Sequence, residues 1–228
     1  TWQDQTGQTS CIDADAGYYA AGNASSSQTP CAPGTWQDQT GQAACNVADA
    51  GYYAAGNGST SQTACLPGTW QDQTGQTSCI DADAGYYAAG NASSSQTPCA
   101  PGTWQDQTGQ TACNVADAGY YAANNSSPSQ TACAPGYYQP NTGQTSCISA
   151  DAGYYVDSTA ATSQTACAAG TYQPNSEQTS CIDASAGYYA PSNGSSFQTG
   201  CSPGTYQPSS GQTSCIDAWV GHFVLHYN

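Results

Sequence analysis

A glycine falls on every residue number divisible by 17, from Gly17 through Gly34 and Gly51 to Gly221, and an aromatic residue follows two places later in all thirteen instances. Tyr19, Trp36, Tyr53, Trp70, Tyr87, Trp104, Tyr121, Tyr138, Tyr155, Tyr172, Tyr189, Tyr206 and Phe223 therefore mark a unit of 17 residues. A unit that short cannot enclose a core of its own, so the chain is constrained to a stack of small elements that bury their faces on one another.

The cysteines carry a second rhythm. Cys11, Cys31, Cys45 and their successors to Cys215 are spaced alternately by 20 and 14 residues, which makes the full period 34. Residues 1–34 recur identically as 69–102, and 35–68 recur with few changes as 103–136. The expected organisation is six complete repeats, 1–34, 35–68, 69–102, 103–136, 137–170 and 171–204, followed by a partial seventh at 205–228 that ends in an apolar tail.

Leu, Ile, Val, Phe and Met together number 14 of the 228 residues, about 6% against the ~20% below which an ordinary folded interior is not expected. Order must come from cross-links and stacked aromatic rings. Disorder is the competing reading, and the regular cysteine spacing argues against it. The chain has no Lys or Arg and 15 acidic residues, a formal charge of -15. Nucleic acid is thereby excluded as a partner, because phosphate neutralisation needs cations; anionic membrane surfaces and lysine-based links between subunits are disfavoured for the same reason. The charge keeps a repetitive chain hydrated.

Thirteen cysteines without a CxxC motif read as a disulfide framework made in an oxidising, extracellular compartment. Two regular pairings exist. The 14-residue scheme joins Cys31–Cys45, Cys65–Cys79, Cys99–Cys113, Cys133–Cys147, Cys167–Cys181 and Cys201–Cys215 and leaves Cys11; the 20-residue scheme leaves Cys215. Loop entropy separates them by only about 0.3 kcal/mol. Local sequence favours the first: Cys31-Ala-Pro-Gly-Thr-Trp opens a strand, Asp38-Gln-Thr-Gly41 supplies a turn and Gln42-Ala-Ala-Cys45 returns. In later copies Pro140 and Asn141 occupy positions that a type I turn favours. The 20-residue scheme stays open. In the alternate halves Ala14 and Gln28, then Ala48 and Gln62, stand where the cysteines would be, so disulfide-closed and disulfide-free hairpins are expected to alternate.

Cys31-Ala-Pro-Gly-Thr-Trp with Gly41-Gln-Ala-Ala-Cys45 resembles the cysteine-rich modules of ephrin-receptor-like and tumour-necrosis-factor-receptor-like ectodomains, and the likeness recurs along the chain. The resemblance implies an elongated ladder of small hairpins, each disulfide closing its own module, and so supports the 14-residue scheme. The chain departs from those modules in losing every second cysteine pair and in lacking their additional cross-links and irregular loops. The expected fold class is all-β: a disulfide-rich, elongated, solenoid-like stack of short hairpins.

The sequons at Asn23, Asn57, Asn91, Asn125 and Asn193 share one phase, six residues after the repeat glycine of each disulfide-free half. They are expected on exposed turns as N-glycan acceptors, with Asn124 as a competing acceptor and Thr159 at that phase in the fifth repeat. The Ser/Thr runs could carry O-linked sugar. Rings two places after a glycine are expected to form the local core of each hairpin rather than a row that binds carbohydrate. Asp13 with Asp15, and Asp81 with Asp83, read as hydrated surface because a calcium site needs six or more oxygens. His222 and His226 lie in a strand-like tail and are not read as metal ligands. No nucleophile with a neighbouring base and no phosphate loop appears, so neither an enzyme nor a cofactor is expected.

The tail holds Trp219, Phe223 and Leu225, which are expected either to cap the last repeat or to dock on another copy. Cys11 is left unpaired or intermolecular, as if the chain were cut from a longer protein or joined to another molecule. The function expected is a glycosylated, disulfide-reinforced extracellular rod or filament, in a fibre, appendage or surface coat, that associates with itself. The rival is the stalk or ligand-binding ectodomain of a cell-surface receptor or adhesin; a third class is an ice- or carbohydrate-binding array.

Overall fold

The fold is described from a computed structural model over residues 1–219. Among these residues there is no helix, and the regular structure is a series of two-residue strands arranged as twelve two-stranded sheets, one for each 17-residue half. Strand β1 (Tyr18–Tyr19) pairs antiparallel with β2 (Thr29–Pro30), and β3 (Thr35–Trp36) with β4 (Asn46–Val47). The chain is thus a disulfide-rich β-hairpin repeat. Pro30 is tolerated because β2 has a neighbour on one side only and its missing N–H leaves no gap in a ladder.

A hairpin of two-residue strands has no independent stability. What holds it is a backbone ladder to the hairpins on either side. Gly17 donates its N–H to the Gln37 carbonyl (2.7 Å), Ala20 to Gln42 (3.0 Å), and Gly41 reaches back to Ala14 (2.8 Å). The described residues form two compact units, one made of Thr1–Ala100, Trp104–Asn114 and Asn125–Ser129, the other of Pro101–Thr103, Val115–Asn124 and the chain from Gln130 onward. The second unit repeats the pattern of the first: Gly153 bonds Gln173 (2.7 Å), Val156 bonds Gln178 (2.9 Å) and Glu177 bonds Ala150 (2.8 Å).

The buried line is thin. Ala14, Cys31, Ala48, Cys65, Ala82 and Cys99 are fully enclosed at one phase of the 17-residue unit, while a second phase alternates Ala20, Gln37, Ala54 and Gln71. The rings expected to form each hairpin's core are instead half-buried on the first strand of nearly every hairpin. Side chains as small as alanine let neighbouring backbones come close enough to bond. A wide ring fits only at the flank. All five isoleucines, Ile12, Ile80, Ile148, Ile182 and Ile216, stand exposed at one strand position. Each faces an aromatic residue across the hairpin, as in Trp70↔Ile80 and Tyr172↔Ile182, a pairing that favours strand formation.

The glutamine amides inside this line are satisfied. Gln37 is 5% exposed; its Nε2 donates to the Ala44 carbonyl (3.0 Å) and its Oε1 accepts from the Gln39 N–H (3.1 Å). The same two bonds recur at Gln71, Gln105, Gln139, Gln173 and Gln207. A buried amide bonded at both ends avoids the ~1–3 kcal/mol cost of an unpaired group and fixes the turn above it.

The 17-residue glycine has two causes in the structure. Gly51 has φ +83°, and a Cβ built on it would lie 2.2 Å from the carbonyl oxygen of Ala92. That carbonyl belongs to a turn two halves further on, whose N–H bonds Cys65 (2.8 Å). Any side chain at Gly51 would push the turn off its bond. We expect Gly51→Ala to cost about 1–2 kcal/mol from backbone conformation alone, with a further loss from the overlap. Gly56→Ala, where nothing lies within 4 Å and φ is not in the left-handed region, should leave the urea midpoint unchanged. Tryptophan fluorescence during urea unfolding reads both; equal midpoints for the two variants would contradict the close-approach account.

Candidate functional site: clasped hairpins and their exposed loops

Each disulfide-closed hairpin is locked at its base. Cys31–Cys45, Cys65–Cys79, Cys99–Cys113, Cys133–Cys147, Cys167–Cys181 and Cys201–Cys215 are bonded, with Cα atoms 5.7–5.8 Å apart. A loop of about 15 residues closed in this way removes roughly 3 kcal/mol of chain entropy from the unfolded state. Cys11 is a free, exposed thiol.

The alternate hairpins are closed too, by hydrogen bonds. Gln28, which stands at the phase of Cys45, donates from Nε2 to Asp15 Oδ2 (2.7 Å) and accepts the Asp15 backbone N–H at Oε1 (2.7 Å). Gln62 and Asp49, Gln96 and Asp83, Gln130 and Asp117, and Gln164 and Asp151 repeat the clasp. Gln198 keeps the backbone bond to Ser185 (2.7 Å), serine replacing the aspartate. The sequence shows the exchange of cysteine for glutamine but, read alone, suggests an open hairpin. The overlooked signal was an aspartate 13 residues before each glutamine, five times over.

The sequon asparagines lie in the loops of these hydrogen-bonded hairpins. Asn23, Asn57, Asn91, Asn125 and Asn193 are exposed, and each precedes a residue of positive φ: Ala24, Gly58, Ala92, Ser126 and Gly194. In the four sequons after the first, the amide following the asparagine is tied to the stack, as Gly58 to the Cys31 carbonyl and Gly194 to Cys167 (both 2.8 Å). The loop is therefore fixed while the asparagine projects from it. Asn193 is itself engaged through Oδ1, which accepts the Ala169 N–H (2.9 Å), leaving Nδ2 as the atom a sugar would occupy. The sequon hydroxyl of Ser59 donates to Gly56 (2.8 Å). Thr159 is exposed at the corresponding place in the fifth repeat.

Two successive repeats depart from this chemistry. Tyr137 replaces the usual threonine, and Glu177 replaces the usual glycine two halves on. The Tyr137 hydroxyl hydrogen-bonds the Glu177 carboxylate, which is the main cause holding the phenol above its ordinary value of 10.0; desolvation and the glutamate charge add to it.

The remaining sequence candidates are dispersed. Asp13 lies against Gly41, and Asp15 is spent in its clasp. Among the described residues no three His, Cys, Asp or Glu side chains gather into a possible metal site. The Nε1 atoms of Trp2, Trp36, Trp70 and Trp104 are buried without a protein acceptor, and tyrosine takes that position in later repeats at Tyr138, Tyr172 and Tyr206. Trp219 is 82% exposed. Phe223 and Leu225, with His222 and His226, lie outside the described residues. Among the described residues no helix is long and apolar enough to cross a membrane.

A family model described as tyrosine-protein kinase ephrin type A/B receptor-like matches residues 119–167. That segment carries the hydrogen-bonded hairpin after Gly119, the Cys133–Cys147 closure and the hairpin that follows it, so the chain contains a cysteine-rich repeat module of this kind. A comparison with curated proteins gives no match.

Two outcomes are expected from the clasp geometry. Gln62→Ala removes two hydrogen bonds and should cost about 1–3 kcal/mol in urea unfolding, whereas Ala48→Cys with Gln62→Cys should form a seventh disulfide, seen as a linked peptide in non-reducing mapping. Failure of the pair to oxidise would contradict the equivalence of the two closures. For Tyr137 the folded value is raised, so the bond supports the fold while the phenol is protonated and is lost as pH climbs above 10.0 through the raised value. Glu177→Gly should return Tyr137 to the ordinary tyrosine range in an NMR titration; an unaltered titration would contradict the assignment.

Proposed function

We propose that the chain is an extracellular structural protein, a glycosylated and disulfide-reinforced repeat array that associates with itself into a filament of a fibre, appendage or surface coat. The observation that carries this reading is uniformity. Closure alternates regularly between sulfur and Gln–Asp bonds, and the exposed loops recur with nearly the same residues. A binding site for a single ligand needs convergent groups that break such a pattern. Disulfides at this density suit an oxidising compartment outside the cell.

The array contains no side-chain cation. Its partners are therefore further copies of itself and covalently attached glycans rather than nucleic acid or lipid insertion. Sugars on the exposed asparagines would cover the hairpins that lack a covalent clamp.

A second reading is a stalk or ligand-binding ectodomain of a cell-surface receptor, favoured by the ephrin receptor-like match at residues 119–167 and by the Tyr137–Glu177 departure within the second unit. Negative-stain imaging of purified protein separates the two. Filaments of constant width support assembly; isolated particles at all concentrations contradict it and favour the stalk. Treatment with a peptide N-glycosidase should lower the mass of material from the native source, with the released sites mapping to Asn23, Asn57, Asn91, Asn125 and Asn193. Unchanged mass would remove glycosylation from the account.

A further inference from the structure

The chain has 24 glutamines and no lysine, and the fold sorts those glutamines by what their amides do. One set is enclosed in the buried line and bonded at both ends, as Gln37 is. A second set closes the alternate hairpins, and Gln28 uses both amide atoms on Asp15. A third set, Gln5, Gln39, Gln73 and Gln107, stands exposed in the Asp-Gln-Thr-Gly turns of the first four cysteine-bearing halves. The remaining seven follow directly after the turns; all but the exposed Gln8 are half-buried and donate Nε2 to a turn carbonyl, as Gln42 does to Thr40 (3.3 Å) and Gln178 to Ser176 (2.9 Å).

The backbone of these turn glutamines is pinned from below. The N–H of Gln39 bonds Gln37 Oε1 and that of Gln73 bonds Gln71 Oε1 (both 3.1 Å). Their side-chain amides are scarcely used. Gln39 Oε1 meets Gln42 Nε2 at 3.4 Å, and Gln73 Oε1 meets Gln76 Nε2 at 3.5 Å, at the outer limit of a hydrogen bond. Nor does the fold require glutamine there, since Asn141, Asn175 and Ser209 fill the same place in later repeats. An exposed turn on a rigid support is where an enzyme can reach a side chain.

We propose that Gln5, Gln39, Gln73 and Gln107 are acyl-donor sites for a transglutaminase-type thiol enzyme, which joins them to lysine side chains. The enzyme's thiol gives up its proton and the thiolate adds to the glutamine side-chain carbonyl carbon; the bond from that carbon to Nε2 breaks, and the nitrogen takes up that proton and leaves as ammonia. A lysine amine of the partner then attacks the thioester, an amide bond forms, and the proton it loses returns to the departing thiolate. The net exchange is amide plus primary amine to substituted amide plus ammonia, with no change of oxidation state. Having no lysine, these 228 residues supply only the acyl side of such a link, and the amine comes from a lysine outside them. This inference takes its extracellular setting from the structural reading above. Its test is independent of that reading, because amine incorporation needs no filament.

The full disulfide-bonded chain is incubated with a calcium-dependent transglutaminase and biotinylated pentylamine, and the label is mapped by mass spectrometry of peptic and chymotryptic peptides. Label is expected on Gln5, Gln39, Gln73 and Gln107, with the clasp and buried glutamines unlabelled until the protein is reduced and unfolded. Changing all four turn residues to asparagine, which later repeats carry at that position, should remove most of the label and leave the disulfide map intact. No incorporation, label on the clasp glutamines of the folded chain, or undiminished label in the fourfold variant would each overturn the proposal.

Discussion

The fold depends on backbone groups of one hairpin reaching those of the next. A chain with only 14 Leu, Ile, Val and Phe residues and no Met has little oily interior to gain from, and two-residue strands cannot hold themselves together. The ladder from Gly17 to Gln37, Ala20 to Gln42 and Gly41 to Ala14 supplies what the strands lack. It forms because the residues between the backbones are alanine, cysteine and glycine, and because each buried glutamine satisfies its own amide while bracing a turn. Burial here serves mainly to bring polar backbones within bonding distance and away from water.

Closure of the hairpins is the second constraint, and it is met in two ways. A disulfide limits the unfolded chain by roughly 3 kcal/mol per loop of this size; a pair of hydrogen bonds from a half-exposed glutamine is worth about 1–3 kcal/mol together. Alternating the two places a covalent stop in every 34-residue repeat. The clasp of Gln62 with Asp49 lies between two covalent closures in sequence. The loops offered to sugars belong to the weaker hairpins, where the asparagines project while the following amide is held by the stack.

Much of this was legible from periodicity alone. The glycine and aromatic marks at 17 residues and the cysteine marks at 34 state the unit, the hairpin and the all-β class. Four features were not legible. The Gln28–Asp15 clasp joins residues 13 apart whose types are common on any polar surface, and only their recurrence links them. The burial of Gln37 runs against the ordinary preference of glutamine for solvent. The rings of Tyr19 and Trp36 lie at the flank and not at the centre because the ladder demands a separation between backbones too small to admit them. The glycine at each multiple of 17 is visible in sequence, but the carbonyl that forbids a side chain at Gly51 comes from Ala92, and no local reading connects the two.

Native-state hydrogen exchange on the inter-hairpin amides tests the account most directly. The N–H groups of Gly17, Gly51 and Gly85, which bond across to Gln37, Gln71 and Gln105, should be protected to a similar degree as those of Gly34 and Gly68, so that both kinds of hairpin share one ladder. Protection confined to segments bounded by disulfides, with the amides of the Gln–Asp hairpins exchanging at unfolded rates, would contradict it.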